Sequence, residues 1–247
     1  MAFCIFVHAA VVFTRRRKSE ASKLILWGEL NCSPSLRLLS ETGLQSEGDM
    51  RDTSLEKTVS FTRMDAGTKA DYALLEKLEK SYISGLPQRI LSALENLQDT
   101  LGGYQVTRLE HSLQTASRAE ADGADIEFIV AALIHDIGDD LAPENHSQMA
   151  AAIIRPYVRA EVTWVLEHHG IFQMVYYADK LGLNKDERER YRGHKWFEST
   201  EKFCGEWDQT SFDPAYPSKP LSYFAPMVEQ IFSRPAFAPS IIGDTDS

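Results

Sequence analysis

Five of the seven histidines in this 247-residue chain fall between positions 111 and 169, namely His111, His135, His146 and the adjacent His168 and His169. Asp136 follows His135 directly, and a further carboxylate, Asp208, stands well downstream. Imidazole and carboxylate together suit iron, manganese, zinc and similar ions, and the absence of cysteine from the group argues against a thiolate site. A lone histidine on an apolar helix face is commonly a core residue with a hydrogen-bond partner. Several buried imidazoles beside a carboxylate are different, because each group left without a partner costs about 1 to 3 kcal/mol. One shared metal centre satisfies them together.

The elements that must carry these residues read as helices. Phe128, Ala131, Ala132 and His135 recur at i, i+3, i+4 and i+7, so His135 continues an apolar stripe and points inward. Asp136 is rotated from it by about 100°, and Gly138 supplies a stop. Thr107 can cap a helix over about 107–121 bearing His111, and Asp125 can cap the helix bearing His135. Pro143 and Glu144 are expected to open the helix of His146, which Pro156 ends; Gly170 is expected to terminate the helix of Glu161 to His169. His168 and His169 diverge by about 100°, so only one can face the site. Upstream, Tyr72, Leu75, Leu78 and Tyr82 form one amphipathic stripe, and a second helix runs to about Leu97. Downstream, Lys185 to Arg192 reads as a solvated helix face, Trp196 to Asp208 as a further helix, and Ala225 to Phe232 as the last. No β alternation interrupts the first half, so the fold class is all-α.

The order His111, His135-Asp136, His146, His169, Asp208 resembles the HD-domain superfamily of metal-dependent phosphohydrolases. The likeness includes Leu109-Glu110-His111-Ser112-Leu113-Gln114 and covers roughly residues 85 to 234. The two histidines between the HD pair and the last Asp mark the dinuclear-metal branches, which include the mixed-valent diiron oxygenases of phosphonate breakdown. The resemblance implies an HD-domain helical bundle around a buried metal site. It also implies His111, His135, Asp136, His146, His169 and Asp208 as ligands, Asp136 as the bridge, and one or two divalent ions, iron first and manganese second. The chain departs from the phosphonate oxygenases at Leu101 and Tyr104, where they carry a lid Tyr and Glu. It departs again at Asp139, Gln173 and Gly205, where they carry basic groups that hold the phosphonate.

On that pattern the leading expectation is metal-assisted hydrolysis of a small phosphorylated substrate, since such a centre acidifies a bound water and polarises a substrate oxygen. Asp139 or Asp140 would carry protons, Tyr104 is a third catalytic candidate, and Tyr104 and Gln173 would contact the substrate. A diiron oxygenase of a small organophosphonate or related metabolite is the second reading, and a non-catalytic metal-binding or sensory module the third.

Composition frames these readings. With 43% hydrophobic and 25% charged residues the chain can bury one sizeable core. A net charge of −10 argues against nucleic acid or an anionic membrane as partner, leaving a small molecule. Cys4, Cys32 and Cys204 form no CxxC, which fits a reducing, cytoplasmic setting. Residues 1–65 read as a poorly structured or non-native extension before a single helical domain over 66–247. Its apolar start, Met1 to Phe13, is too short to span a membrane, and Arg15 to Lys18 follow it instead of preceding it as in a secretory signal. Organellar targeting is the alternative for this segment.

Overall fold

The computed structural model describes residues 58–242. Within them lie nine α-helices and no strand: α1 (Lys69–Ser84), α2 (Leu86–Asn96), α3 (Arg108–Ala121), α4 (Ile126–Ile134), α5 (His146–Ile154), α6 (Ala160–Gln173), α7 (Phe197–Lys202), α8 (Leu221–Phe232) and α9 (Pro239–Ile242). The all-α class expected from the sequence is the one found. No helix among the described residues is long and apolar enough to cross a membrane.

The reading of the N-terminal extension falls on residues 1–57, outside the described residues, except for its last few positions. Those positions already belong to the packed chain. The Ser60 N–H and hydroxyl donate to the two Asp71 oxygens at 2.8 and 3.0 Å, and Phe61 packs on Tyr72 with ring centroids 5.6 Å apart.

The bundle is assembled around α4. Asp125 caps it, its Oδ1 accepting from the Glu127 and Phe128 amides at 3.0 and 3.2 Å. Every side chain from Ile129 to Ile134 is buried, as expected of a helix that is apolar on all sides. α3 packs on α4, α5 on α6, and α8 covers α2 and α4. Leu94, Leu133, Leu166, Phe203 and Val228 are fully enclosed where these helices meet, each contributing about 1.5 to 3 kcal/mol by leaving water. An ion-pair clamp locks the start of α4: Arg159 reaches Asp125 at 2.8 Å and Glu127 at 3.0 Å, and Arg234 reaches Glu127 at 2.5 Å. It joins α4 to the start of α6 and the end of α8.

Several boundaries differ from expectation, each for a local reason. α1 forms, but Tyr72, Leu78 and Tyr82 on its stripe are 40%, 41% and 68% exposed; a Thr68–Asp71 capping box organises its start. Pro143 and Glu144 do not open α5, which starts at His146 after a tight turn closed by Ala142 N–H on the Gly138 carbonyl at 2.7 Å. Gly170 does not end α6. It lies inside the helix, where a Cβ would come within 2.8 Å of Ser147 Oγ on α5. The charged run resolves into a short 3-10 turn, Glu187–Tyr191, pinned by Arg192 on Glu189 at 2.6 Å. The expected helix from Trp196 splits into α7 and a π turn, Phe203–Asp208. α8 begins at Leu221 instead of Ala225 and includes Pro226, held by burial of Phe224, Val228 and Ile231.

Candidate metal centre

Four helices and the π turn bring His111, His135, Asp136, His146, His169 and Asp208 together. A capping box fixes the start of α3: Thr107 Oγ1 accepts from Glu110 N–H at 3.0 Å, and Glu110 accepts from Thr107 N–H at 2.7 Å. One turn later, His111 points into the core. His135 caps the C-terminus of α4, with Asp136 following; His146 opens α5, His169 sits in α6, and Asp208 ends the π turn.

Asp136 lies at the middle, and its two oxygens face different partners. Oδ2 lies 3.4 Å from His111 Nε2 and 3.3 Å from His135 Nε2, while Oδ1 lies 3.5 Å from both His146 Nε2 and His169 Nε2. Asp208 Oδ1 joins the first group, 3.2 Å from His111 Nε2 and 3.6 Å from His135 Nε2. One carboxylate thus stands between two sets of donors. His168 stands apart, stacked on Trp164 at 4.1 Å, with His194 on Trp164 at 4.0 Å.

The orientation of the rings tests whether a metal fits. Each Nδ1 lies against a backbone carbonyl: Ser211 for His111 at 2.9 Å, Ala132 for His135 at 2.8 Å, Pro143 for His146 at 3.3 Å, and Leu166 for His169 at 2.7 Å. A carbonyl only accepts, so Nδ1 carries the hydrogen and each neutral ring turns a bare Nε2 lone pair inward. His169 Nε2 is buried with no hydrogen-bond partner. Acceptors facing acceptors and carboxylates in an enclosed space require a proton or a cation among them. The side chains fit divalent ions: ligand atoms lie within 4.8 Å of one another in His111, His135 and Asp208, in His135, Asp136 and His169, and in Asp136, Asp139 and His146, with Asp136 shared by the last two groups.

Without an ion, protons meet the same demand. Burial by itself would lower the pKa of His111 and His135, but the charges and hydrogen bonds of Asp136 and Asp208 outweigh it and hold both above the ordinary histidine value, His135 well above. Burial would raise Asp136 and Asp208, and the surrounding imidazoles instead hold both below the usual carboxylate range.

A cavity of about 580 Å³ opens onto the centre. Tyr104 and Gln173, the expected substrate contacts, both line it, and Gln173 Oε1 is buried without a hydrogen-bond partner. The two expected proton carriers fare differently. Asp140 is exposed and does not line the cavity, whereas Asp139 is enclosed in an ion pair with Arg108. Burial, then the neighbouring Asp136 charge, raise Asp139 from the ordinary value.

Sequence reasoning missed the cations of this cavity. Arg108 and Lys180 line it, together with Tyr176, Tyr177, Gln209 and Phe212. Arg108 precedes His111 by three residues, a spacing that shares a helix face, so it could have been found. The others sit on short turns with no periodic signal. At Gly205 an added Cβ would come within 3.0 Å of the Tyr176 hydroxyl.

The family model of the HD domain matches residues 108–193. This stretch of the chain matches the HD-domain family. Its curated relatives include hydroxymethylphosphonate dioxygenase of Gimesia maris, 39% identical over 83 residues, covering 32% of this chain and 40% of that protein. Another is the glycine-betaine-forming [1-hydroxy-2-(trimethylamino)ethyl]phosphonate dioxygenase of Leisingera caerulea, 33% identical over 78 residues, covering 27% of this chain and 40% of that protein. The chain spans about two fifths of the length of each of these relatives. The match to the family model takes in His111, His135, Asp136, His146 and His169, while Asp208 lies beyond it, brought to the centre by the π turn.

Proposed function

We propose that this chain is a dinuclear HD-domain oxygenase acting on a small organophosphonate or a closely related anion. The observation that carries the reading is the Asp136 carboxylate, one oxygen toward His111 and His135 and the other toward His146 and His169. Two irons held there would supply the redox capacity that dioxygen chemistry needs. The similarity to two phosphonate dioxygenases moves the oxygenase ahead of the phosphohydrolase that the sequence favoured.

The chain's own residues account for binding. Lys180 places positive charge on the cavity wall, and Arg108 offsets the carboxylates of Asp139 and Asp136 behind it, so an anionic group is accommodated despite the net charge of −10. Tyr104 and Gln173 contact the substrate, with the unpartnered Gln173 oxygen available to a substrate hydroxyl. The aromatic rings of Tyr104 and Phe212, 5.1 Å apart, help exclude water on one side. Asp139 is engaged by Arg108 and Asp140 faces solvent, so neither is assigned proton transfer.

The test is to load the purified chain with iron or with manganese and to assay small organophosphonates and phosphate monoesters with and without oxygen. Turnover confined to iron plus oxygen is expected. Anaerobic hydrolysis of a phosphate ester by the manganese form would restore the phosphohydrolase, and binding of metal without any turnover across both panels would favour the sensory module.

A further inference from the structure

Of the four inward-facing imidazoles, His146 is the least confined. Its side chain is 25% exposed against 2%, 1% and 2% for His111, His135 and His169. Its carbonyl contact, at 3.3 Å, is also the longest, the other three lying between 2.7 and 2.9 Å. A ligand held this loosely needs a second anchor, and one is present. Asp139 Oδ1 lies 3.3 Å from His146 Nδ1, on the side of the ring away from Asp136.

Asp139 is itself held. Its Oδ2 forms an ion pair with Arg108 Nη2, and the two side chains are only 8% and 13% exposed. Arg108 Nη1 extends the contact to Asp136 Oδ2 at 3.5 Å. The guanidinium thus sets its positive charge between two neighbouring carboxylates, Asp139 and Asp136. Asp139 Oδ1 can accept from His146 Nδ1–H, which fixes the tautomer that turns a bare Nε2 toward the centre.

We propose that Arg108 and Asp139 are positioning residues for His146, a charge pair that determines whether the second of the two donor sets holds its ion. The proposal rests on the two-ion centre but not on the reaction assigned to it. Asp139 shares a group of possible ligand atoms with Asp136 and His146, and the proposal assigns it to the His146 ring and Arg108 instead of to an ion. The chain Arg108–Asp139–His146 links the start of α3, the turn after α4 and the start of α5.

The test is an iron count without substrate. The full chain is stripped of metal, reloaded anaerobically with Fe(II), desalted and analysed for iron per chain, with the two affinities read by titration and folding checked by circular dichroism. The wild-type chain is expected to hold two irons. Asp139→Ala and Arg108→Met should hold the first as before and bind the second roughly 10- to 100-fold more weakly. Arg108→Lys, which keeps the charge, should recover part of the loss. The double variant Arg108→Met/Asp139→Ala, which removes the charge imbalance, should be no better than either single change. If Asp139→Ala does not fold, the isosteric Asp139→Asn takes its place, with a smaller loss of the second iron expected. The proposal is overturned if the wild type holds a single iron, if the single variants keep both with unchanged affinity, or if the double variant regains the second. Failure of the oxygenase reading leaves these counts unchanged.

Discussion

Gly138→Ala should disable one donor set while leaving the other intact. A Cβ at Gly138 would lie 2.9 Å from His146 Cα, 3.0 Å from its carbonyl oxygen and 3.1 Å from its Cβ, all at or next to the backbone. Ordinary contact begins near 3.4 Å, so the first turn of α5 must recede by about 0.5 Å (3.4 minus 2.9). Metal ligation tolerates errors of only about 0.2 Å, and His146 is the residue displaced. His111, His135 and Asp208 come from other elements and keep their places. Overpacking of this kind costs about 1 to 3 kcal/mol. At about 2 to 4 °C per kcal/mol for a domain of this size, Tm should drop by roughly 2 to 12 °C. Calorimetry and metal analysis on the same sample check both halves, with one ion per chain retained and a lowered Tm expected. Two ions bound with unchanged affinity would refute the view that the turn after α4 sets the position of His146.

His135→Ala or Asp136→Ala should remove most bound metal and all metal-dependent activity, because either change leaves the remaining buried groups uncompensated; elemental analysis of the purified variants tests this. His168→Asn should keep full metal content but alter the fluorescence of Trp164, on which it stacks at 4.1 Å, whereas His169→Asn should lose at least one ion. The metal-free chain should have a stability maximum in mildly acidic solution. His111 and His135 have raised folded values, so their contribution is complete below about 6.5 and is lost as pH rises through those values; Asp136 and Asp208 have lowered ones, so theirs is present above 3.8 and lost in acid. Metal needs the deprotonated rings, so the rise in Tm on adding Mn(II) should grow over the same pH interval in which the metal-free chain weakens. A chain beginning at Met64 should fold and bind metal but melt below one beginning at Thr58, since it lacks the Ser60 bonds to Asp71.

The clustering of His111, His135, Asp136, His146, His169 and Asp208 was legible because histidine and aspartate are rare at inward positions and each arrived on an element with its own punctuation. Thr107 and Asp125 announced α3 and α4, and both caps are formed as read. What was not legible depends on encounters across the chain. Gly138 and Gly170 looked like helix stops, yet each is small because α5 passes within contact distance. Asp139 looked like a free acid until Arg108, 31 positions earlier, was found paired with it. The cavity wall from Gln173 to Leu181 carries no period at all, because it is built from 3-10 turns whose residues face the centre singly.

The π turn at Phe203–Asp208 makes the centre depend on counting as well as on identity. A π turn closes its hydrogen bonds one residue later than an α-helix, so the segment accommodates what amounts to an inserted residue just before Asp208. Removing any one residue between Phe203 and Trp207 would allow α7 to rewind through to Asp208. At about 100° per residue, the carboxylate would then swing away from His111 and His135. Every ligand would still be present in the sequence, and composition would hardly change. A single-codon deletion in this helix is therefore a route by which such a fold could shed a ligand in one evolutionary step.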